Sequence, residues 1–280
     1  MSRFESLLPD MPPMADAALE VAEVQDSDAR LSLPDTAPDP VRRYYRRRSN
    51  GARMTQLFRN RREAGQVLAE RLRGHVPRSN VVVLALPRGG VPVAYEVATA
   101  LHAPLDVFVV RKLGAPGNEE YAIGAIASGD IAMVDAGTVA MFGLSRHDID
   151  RIIEVERREL DRRERLYRRG RPFPDLVGKT VVLVDDGLAT GATMRAAIEA
   201  LRSRRAAAVI AAVPVASREA CDMIAAAADA CVCALTPVPF LGVGKWYADF
   251  SQTTDEEVLD LLAQADTRDV PSLTSGAVAQ

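Results

Sequence analysis

An unbroken aliphatic run at residues 181–184 ends in two adjacent carboxylates, Asp185 and Asp186. A continuous aliphatic run is typical of a parallel strand that helices cover on both faces. Because open α/β sheets bind ligands beyond the carboxyl ends of their strands, the two aspartates are expected at a binding edge. The sequence therefore predicts an α/β fold with a polar site at the end of this strand.

A short loop after the aspartates is predicted to open a helix through Ala189, Thr190, Gly191, Ala192 and Thr193. Backbone N–H groups, two hydroxyls and the positive end of a helix dipole would meet at one point, and phosphate is the natural ligand for such an arrangement. Paired carboxylates bind hydroxyls or a metal ion. A phosphorylated sugar would satisfy both halves of this site.

Further apolar runs alternate with helical patterns, and this alternation predicts a doubly wound, mostly parallel sheet. Strands are predicted at 81–86, 105–110, 121–127, 131–134, 180–184, 207–213 and 230–235, and helices at 91–101, 136–143, 145–169, 191–204 and 217–228. The predicted domain covers residues 54–265. Residues 1–53, rich in proline and changing from acidic to arginine-rich, are predicted to be a disordered extension, and residues 266–280 a flexible tail.

The composition is that of a soluble globular protein, with 48% hydrophobic residues and a formal net charge of −3. This charge gives no overall basis for nucleic-acid binding, although the arginines at 42–53 leave open a contact with nucleic acid or a protein partner. No apolar segment reaches about 18 residues, so no membrane-spanning helix is expected. Cys221, Cys231 and Cys233 are predicted to be reduced core residues of a cytoplasmic protein, because they are too few and badly spaced for a four-ligand zinc site.

Three further segments are candidates for chemistry. Arg88, Gly89 and Gly90 follow the first predicted strand, where glycines permit a ligand to approach the backbone and Arg88 supplies a positive charge. A second segment, residues 111–120, contains Arg111, Lys112, Gly114, Pro116, Gly117, Glu119 and Glu120, and its glycines and proline predict an irregular, mobile lid, with a hairpin-like connection as the alternative. The third segment, residues 237–250, holds Phe240, Val243, Trp246 and Asp249; its aromatic residues are expected either to stack on a planar acceptor or to attach the C-terminal helix to the sheet.

The stretch from Asp185 to Thr193 resembles the signature with which type I phosphoribosyltransferases bind 5-phosphoribosyl 1-pyrophosphate (PRPP), and is close to the adenine-specific version. The resemblance implies that Asp185 and Asp186 hold the ribose hydroxyls, directly or through Mg²⁺ and water, and that residues 189–193 wrap the 5′-phosphate. Gly187 stands where the family usually has an aliphatic residue, so a locally looser loop is expected. Ala189 occupies the position of the proton-accepting Asp of hypoxanthine-guanine enzymes.

The same resemblance assigns the other segments. The loop of Arg88, Gly89 and Gly90 would bind pyrophosphate and can contain a non-proline cis peptide. Arg111 and Lys112 resemble the pair before the catalytic lid, in which Glu119 or Glu120 would be the acid/base group. Residues 237–250 are similar to the purine-binding hood, so the resemblance implies hood elements at about 135–175 and 236–252 and acceptor contacts at Phe240, Val243, Trp246 and Asp249.

Four shorter segments are similar to a group of bacterial phosphoribosyltransferases whose acceptor is not settled; they lie at 112–117, 122–126, 165–172 and 249–257. The resemblance implies transfer of a phosphoribosyl group from PRPP to a small-molecule acceptor, with Mg²⁺ as cofactor and a homodimer as the assembly. The alternative is a regulatory protein of the same fold that senses PRPP or a nucleotide without turnover.

Overall fold

The computed structural model describes residues 58–268, with the backbone alone at 119, 120 and 268. The predicted extension at 1–53 and most of the predicted tail lie outside the described residues. The strands are β1 (Val81–Ala85), β2 (Leu105–Val107), β3 (Val110–Ala115), β4 (Asn118–Ala127), β5 (Ile131–Val134), β6 (Thr180–Val184), β7 (Ala208–Val215) and β8 (Ala230–Leu235). The helices are α1 (Arg61–Leu72), α2 (Gly90–Leu101), α3 (Ala136–Met141), α4 (Arg146–Arg168), α5 (Ala192–Arg202), α6 (Arg218–Ala227) and α7 (Asp255–Arg268).

A five-stranded parallel sheet forms the centre of the protein, in the order β2-β1-β6-β7-β8. All five residues of β6 are buried, as its aliphatic sequence predicts. The register pairs Val81 with Thr180 and Ala85 with Val184, so β1 and β6 end level with each other. The loops that follow these two strands therefore lie side by side at one edge of the sheet.

Side chains along each strand point alternately to the two faces of the sheet, and both faces carry buried residues. Helices therefore pack on both faces. One layer joins alternate residues of β1, β6 and β7 with the apolar faces of α5 and α6; it includes Val82, Leu84, Val181, Leu183, Val209, Ala211, Ala197, Leu201 and Ile224. Helices α1 and α2 contact each other and the strands of the same sheet. The doubly wound α/β prediction is confirmed.

A second sheet has the antiparallel order β3-β4-β5. The prediction that residues 111–120 lack regular structure is wrong, since β3 and β4 form a hairpin with a turn at Pro116 and Gly117. Gly117 has φ +75, which suits glycine, and the pairing register shifts on either side of Gly114. The backbone agrees with the alternative prediction of a hairpin-like connection. The residues that disfavour a strand lie where regular pairing is interrupted, with Pro116 and Gly117 in the turn and Gly114 at the register shift.

Helix α4 begins with a capping box, in which Ser145 and Asp148 exchange hydrogen bonds. Near its end, Arg168 is buried and forms ion pairs with Asp106 and Glu164. Helix α7 continues to Arg268, so the folded domain extends past the predicted boundary at 265. Within the described residues, no helix is long and apolar enough to cross a membrane.

The cysteines differ from the sequence prediction. Cys231 and Cys233 lie on β8 and Cys221 on α6, and the fold brings their sulfur atoms within 4.8 Å of one another. Cys221 and Cys233 form a disulfide, and Cys231 is free. The prediction of three reduced cysteines is therefore wrong, because the packing of α6 on β8 joins residues that the sequence spacing separates.

Candidate active site

The two carboxylates lie at the carboxyl end of β6, as predicted. The Asp186 amide donates a 2.8 Å hydrogen bond to Asp185 Oδ1. Burial raises the pKa of both side chains, and the charge of Asp186 raises that of Asp185 further. Burial therefore disfavours the charged form of both aspartates, and a neighbouring cation stabilises that form.

The loop after β1 lies directly against these aspartates. A Cβ added to Gly89 would overlap Asp186 Oδ2, and one on Gly90 would lie 2.8 Å from the Val184 carbonyl oxygen. Only glycine permits this approach of the backbone. The Pro87–Arg88 peptide is cis, the geometry that the family resemblance implied for this loop. The predicted pyrophosphate loop and the predicted ribose-binding carboxylates therefore share one site.

The predicted phosphate loop is exposed on the same edge of the sheet. Thr190 and Thr193 are both exposed, as are Ala192 and the rest of the turn apart from Gly191, which has φ +73 at the N-cap of α5. The eleven-residue helix α5 directs its free N–H groups toward this loop. The chain thus places an open turn that is suited to an anion directly after the two carboxylates.

Helix α6 supports the phosphate loop from below. The hydroxyl of Ser217, which caps α6, donates to the Ala189 carbonyl oxygen at 3.2 Å. A Cβ added to Gly191 would lie 3.3 Å from the Ile224 side chain. The position of α6 therefore helps to set the shape of the loop.

Arg61, at the start of α1, is a site residue that the sequence analysis missed. Its Nε and Nη2 atoms each lie 2.9 Å from Asp186 Oδ2, and its guanidinium carbon lies 4.0 Å from the centre of the Phe250 ring. Its Nη1 donates to the Ser251 carbonyl oxygen at 2.7 Å, and the Tyr247 hydroxyl donates to the Asp186 carbonyl oxygen at 2.6 Å. The ion pair spans 125 residues of sequence, and no local pattern distinguishes Arg61 from the other arginines.

The two predicted basic residues of the β3–β4 hairpin have different surroundings. Lys112 lines a cavity of about 500 Å³ together with Thr193 of α5. Arg111 instead forms an ion pair with Glu156 of α4, at 2.6 Å. Adjacent strand residues point to opposite faces, so the two side chains do not enter the same cavity. The side chains of Glu119 and Glu120 lie outside the described part of the structure, and both residues stay candidates.

The predicted acceptor residues do not form one group. Trp246 is 2% exposed, so its indole has no face open for stacking, and its prediction as an acceptor contact is wrong. The alternative, that the aromatic residues attach one element to another, is closer to the structure. Residues 246–249 hydrogen-bond to Phe58 and Arg59, just before α1, and the Tyr247 ring packs at a tilt against the Phe58 ring.

The other residues of this segment have different surroundings. A Cβ on Gly187 would lie 2.5 Å from Val243 Cγ1, so Gly187 is tightly packed and the expected looser loop is wrong. Phe240 is half-buried. Asp249 is exposed, and its hydrogen bond from the Ser251 amide lowers its pKa.

An open turn at a helix N-terminus and paired carboxylates lie at the end of a central parallel strand, and this arrangement in an α/β protein is suited to a phosphorylated ligand. Residues 54–239 match the family model of the phosphoribosyl transferase domain, and the chain belongs to this family. The fold is that of the type I phosphoribosyltransferases, as the sequence resemblance implied.

Two relatives show how far the similarity extends. The protein named "Putative phosphoribosyl transferase Rv0571c" of Mycobacterium tuberculosis is 44% identical over 210 residues, which are 75% of this chain and 47% of the relative. The chain thus spans about half the length of the curated relatives it matches. In the crystal structure of TT1426 from Thermus thermophilus, the matched chain is 42% identical in sequence to this one. The match covers 75% of this chain and 99% of that chain, with a TM-score of 0.68.

Proposed function

We propose that the protein transfers the 5-phosphoribosyl group of PRPP to a nitrogenous small-molecule acceptor and releases pyrophosphate. One observation carries the proposal: the glycine loop after β1, the paired aspartates after β6 and the open turn before α5 lie at one edge of the sheet. These three elements match the three polar parts of PRPP, which are the pyrophosphate, the ribose hydroxyls and the 5′-phosphate.

Each element has a separate role in the proposed reaction. Residues 189–193 bind the 5′-phosphate, and this remote contact fixes the ribose C1 against the acceptor. Asp185 and Asp186 accept hydrogen bonds from the ribose hydroxyls. Arg88 and the amides of Gly89 and Gly90 stabilise the negative charge that grows on pyrophosphate as the C1–oxygen bond breaks.

A magnesium ion fits this donor set. Carboxylate oxygens are ligands that Mg²⁺ prefers, and burial raises the pKa of both Asp185 and Asp186, so a cation bound between them would stabilise their charged forms. When bound, the ion would neutralise the leaving pyrophosphate. Asp185 and Asp186 are the residues that would hold it.

The acceptor nitrogen forms a bond to C1 and must lose its proton. Ala189 offers no base in the phosphate loop, so Glu119 or Glu120 at the start of β4 is the proposed proton acceptor. The hairpin of β3 and β4 would act as the lid, and its closure would bring Lys112 toward the phosphates and exclude water from the activated sugar. The proposal includes a cytoplasmic location and a homodimer. Sedimentation analysis can test the homodimer.

The experiment measures PRPP binding and PRPP-dependent pyrophosphate release across a panel of nucleobases and small amines. We expect release with at least one acceptor, and loss of PRPP binding when Asp185→Asn and Asp186→Asn are combined. Asp260→Asn, a change of an exposed carboxylate on α7, is the matched control and should bind as the unchanged chain does. Unchanged PRPP affinity in the double variant would refute the role of the aspartates.

A second outcome separates catalysis from sensing. Tight PRPP binding without release on any acceptor would contradict transfer and favour the regulatory alternative. The retained Lys112 at the phosphate-loop cavity favours the enzyme, since a sensor has no need for a lid lysine.

A further inference from the structure

All three cysteines of the chain meet at one place outside the candidate active site. Cys231 and Cys233 are two residues apart on β8 and so point to the same face of the sheet. Cys221 approaches them from α6, which contacts β8. Each of the three is half-buried, so the cluster is reachable from solvent.

The spacing of the sulfur atoms suits coordination of one ion. Cys231 Sγ lies 3.6 Å from Cys233 Sγ and 3.9 Å from Cys221 Sγ. Three thiolates that bind one metal at about 2.3 Å in a trigonal plane have sulfur atoms about 4.0 Å apart. The two distances to Cys231 are close to this value without any movement of the backbone.

The disulfide between Cys221 and Cys233 is the oxidised form of this cluster. Two electrons and two protons from a thiol reductant open it and leave three thiols that converge on one point. We propose that the reduced chain uses Cys221, Cys231 and Cys233 as a three-thiolate site for one soft d¹⁰ metal ion of the Zn²⁺ or Cu⁺ class. Binding replaces the thiol protons, which are released to solvent.

Such an ion would connect α6 to β8 at a position that matters for the phosphate loop. Cys221 lies within the same helix as Ala220 and Ile224, whose side chains lie within 4 Å of the place where a Cβ on Gly191 would be. Metal bound in the cluster would therefore hold in place the helix that supports the loop. Amide exchange in α6 should slow when the metal is bound, because local opening must then break a metal–sulfur bond.

The test uses the full-length chain, reduced under anaerobic conditions, with Cd²⁺ as the spectroscopic probe. We expect ultraviolet thiolate-to-metal charge-transfer absorption that saturates at one ion per chain. Competition with Zn²⁺ and with Cu⁺ then identifies the preferred ion. Because the chain has no other cysteine, the signal reports this cluster alone.

Cys231→Ser separates the metal site from the disulfide, since it leaves Cys221 and Cys233 able to pair. We expect this variant to form the disulfide, to keep the circular dichroism spectrum and to bind Cd²⁺ at least tenfold more weakly. Equal Cd²⁺ affinity in Cys231→Ser, or a folded and fully reduced chain that binds no ion, would overturn the proposal. The proposal would also be overturned if the disulfide could be reduced only in the denatured chain, because the folded chain would then never have three thiols. None of these outcomes depends on PRPP.

Discussion

The contact between Arg61 and Asp186 gives the most quantitative prediction for the candidate site. The side chains of Arg61 and Asp186 are only 11% and 16% exposed, and two guanidinium nitrogens lie 2.9 Å from one carboxylate oxygen. At this distance the direct attraction is about 6 kcal/mol for an effective dielectric constant of about 20. Desolvation of both groups offsets much of it, so the useful quantity is the cost of removing one partner.

Arg61→Met keeps the length and the apolar stem of the side chain but removes its charge. Loss of one partner from a buried pair costs about 3–5 kcal/mol, whereas an exposed pair contributes about 0–1 kcal/mol. The exposure of the Arg61–Asp186 pair is closer to that of a buried pair. The substitution also removes the ring contact with Phe250 and the hydrogen bond to Ser251. We expect Arg61→Met to lower the free energy of unfolding by about 4 kcal/mol.

The assay is urea unfolding of a double-mutant cycle formed by Arg61→Met and Asp186→Asn. We expect the double variant to be more stable than the sum of the two single changes predicts, with a coupling free energy of about 2 kcal/mol or more. The coupling should persist at about 1 M salt, because screening acts mainly on exposed pairs. A coupling below about 0.5 kcal/mol would refute the conclusion that Asp186 depends on Arg61 for its charge balance.

Three other substitutions test the packing around the site. Gly90→Ala should cost about 1–3 kcal/mol in urea unfolding, because its Cβ would meet the Val184 carbonyl oxygen at 2.8 Å; a smaller loss would show that the loop can move away from β6. Gly187→Ala should cost a similar amount, and Val243→Ala in the same chain should restore part of it, since the new Cβ would lie 2.5 Å from Val243 Cγ1; no recovery would argue against this contact. Arg168→Met should cost about 3–5 kcal/mol, because it leaves the buried Asp106 without its cation; a loss below about 1 kcal/mol would place that pair with exposed ones.

Local patterns in the sequence predicted the parts of the site that lie within one strand–loop–helix unit. The aliphatic run of β6, the aspartates after it and the turn before α5 are adjacent in sequence, so period and loop composition suffice to place them. The pairing of β1 with β6 was not predicted from the sequence, yet it is this register that brings Gly89 and Gly90 against the aspartates. The sequence predicted the components of the site but not how closely they approach.

Contacts between distant segments explain what the sequence analysis missed. Arg61 and Asp186 come together because residues 58–59 pair with the segment around Tyr247, and no periodicity in either segment encodes that contact. Trp246 was misassigned for the same reason: an aromatic residue beyond the last strand is compatible with an open pocket and with a buried one. The cysteine cluster depends on how α6 lies on β8, which the residue spacing does not reveal.

The charges of the site favour one orientation of the proposed ligand. When both are ionised, Asp185 and Asp186 carry two negative charges and Arg61 carries one positive charge, so in that state the end of β6 has a net negative charge. The N-terminus of α5 beside it presents the equivalent of about half a positive charge. A group with hydroxyls at one end and a phosphate at the other is therefore favoured in one orientation, hydroxyls toward β6 and phosphate toward α5. The opposite orientation places phosphate against the carboxylates, and like-charge repulsion disfavours it. This orientation is compatible with C1 of a bound ribose facing the glycine loop after β1, where the leaving pyrophosphate is proposed to bind.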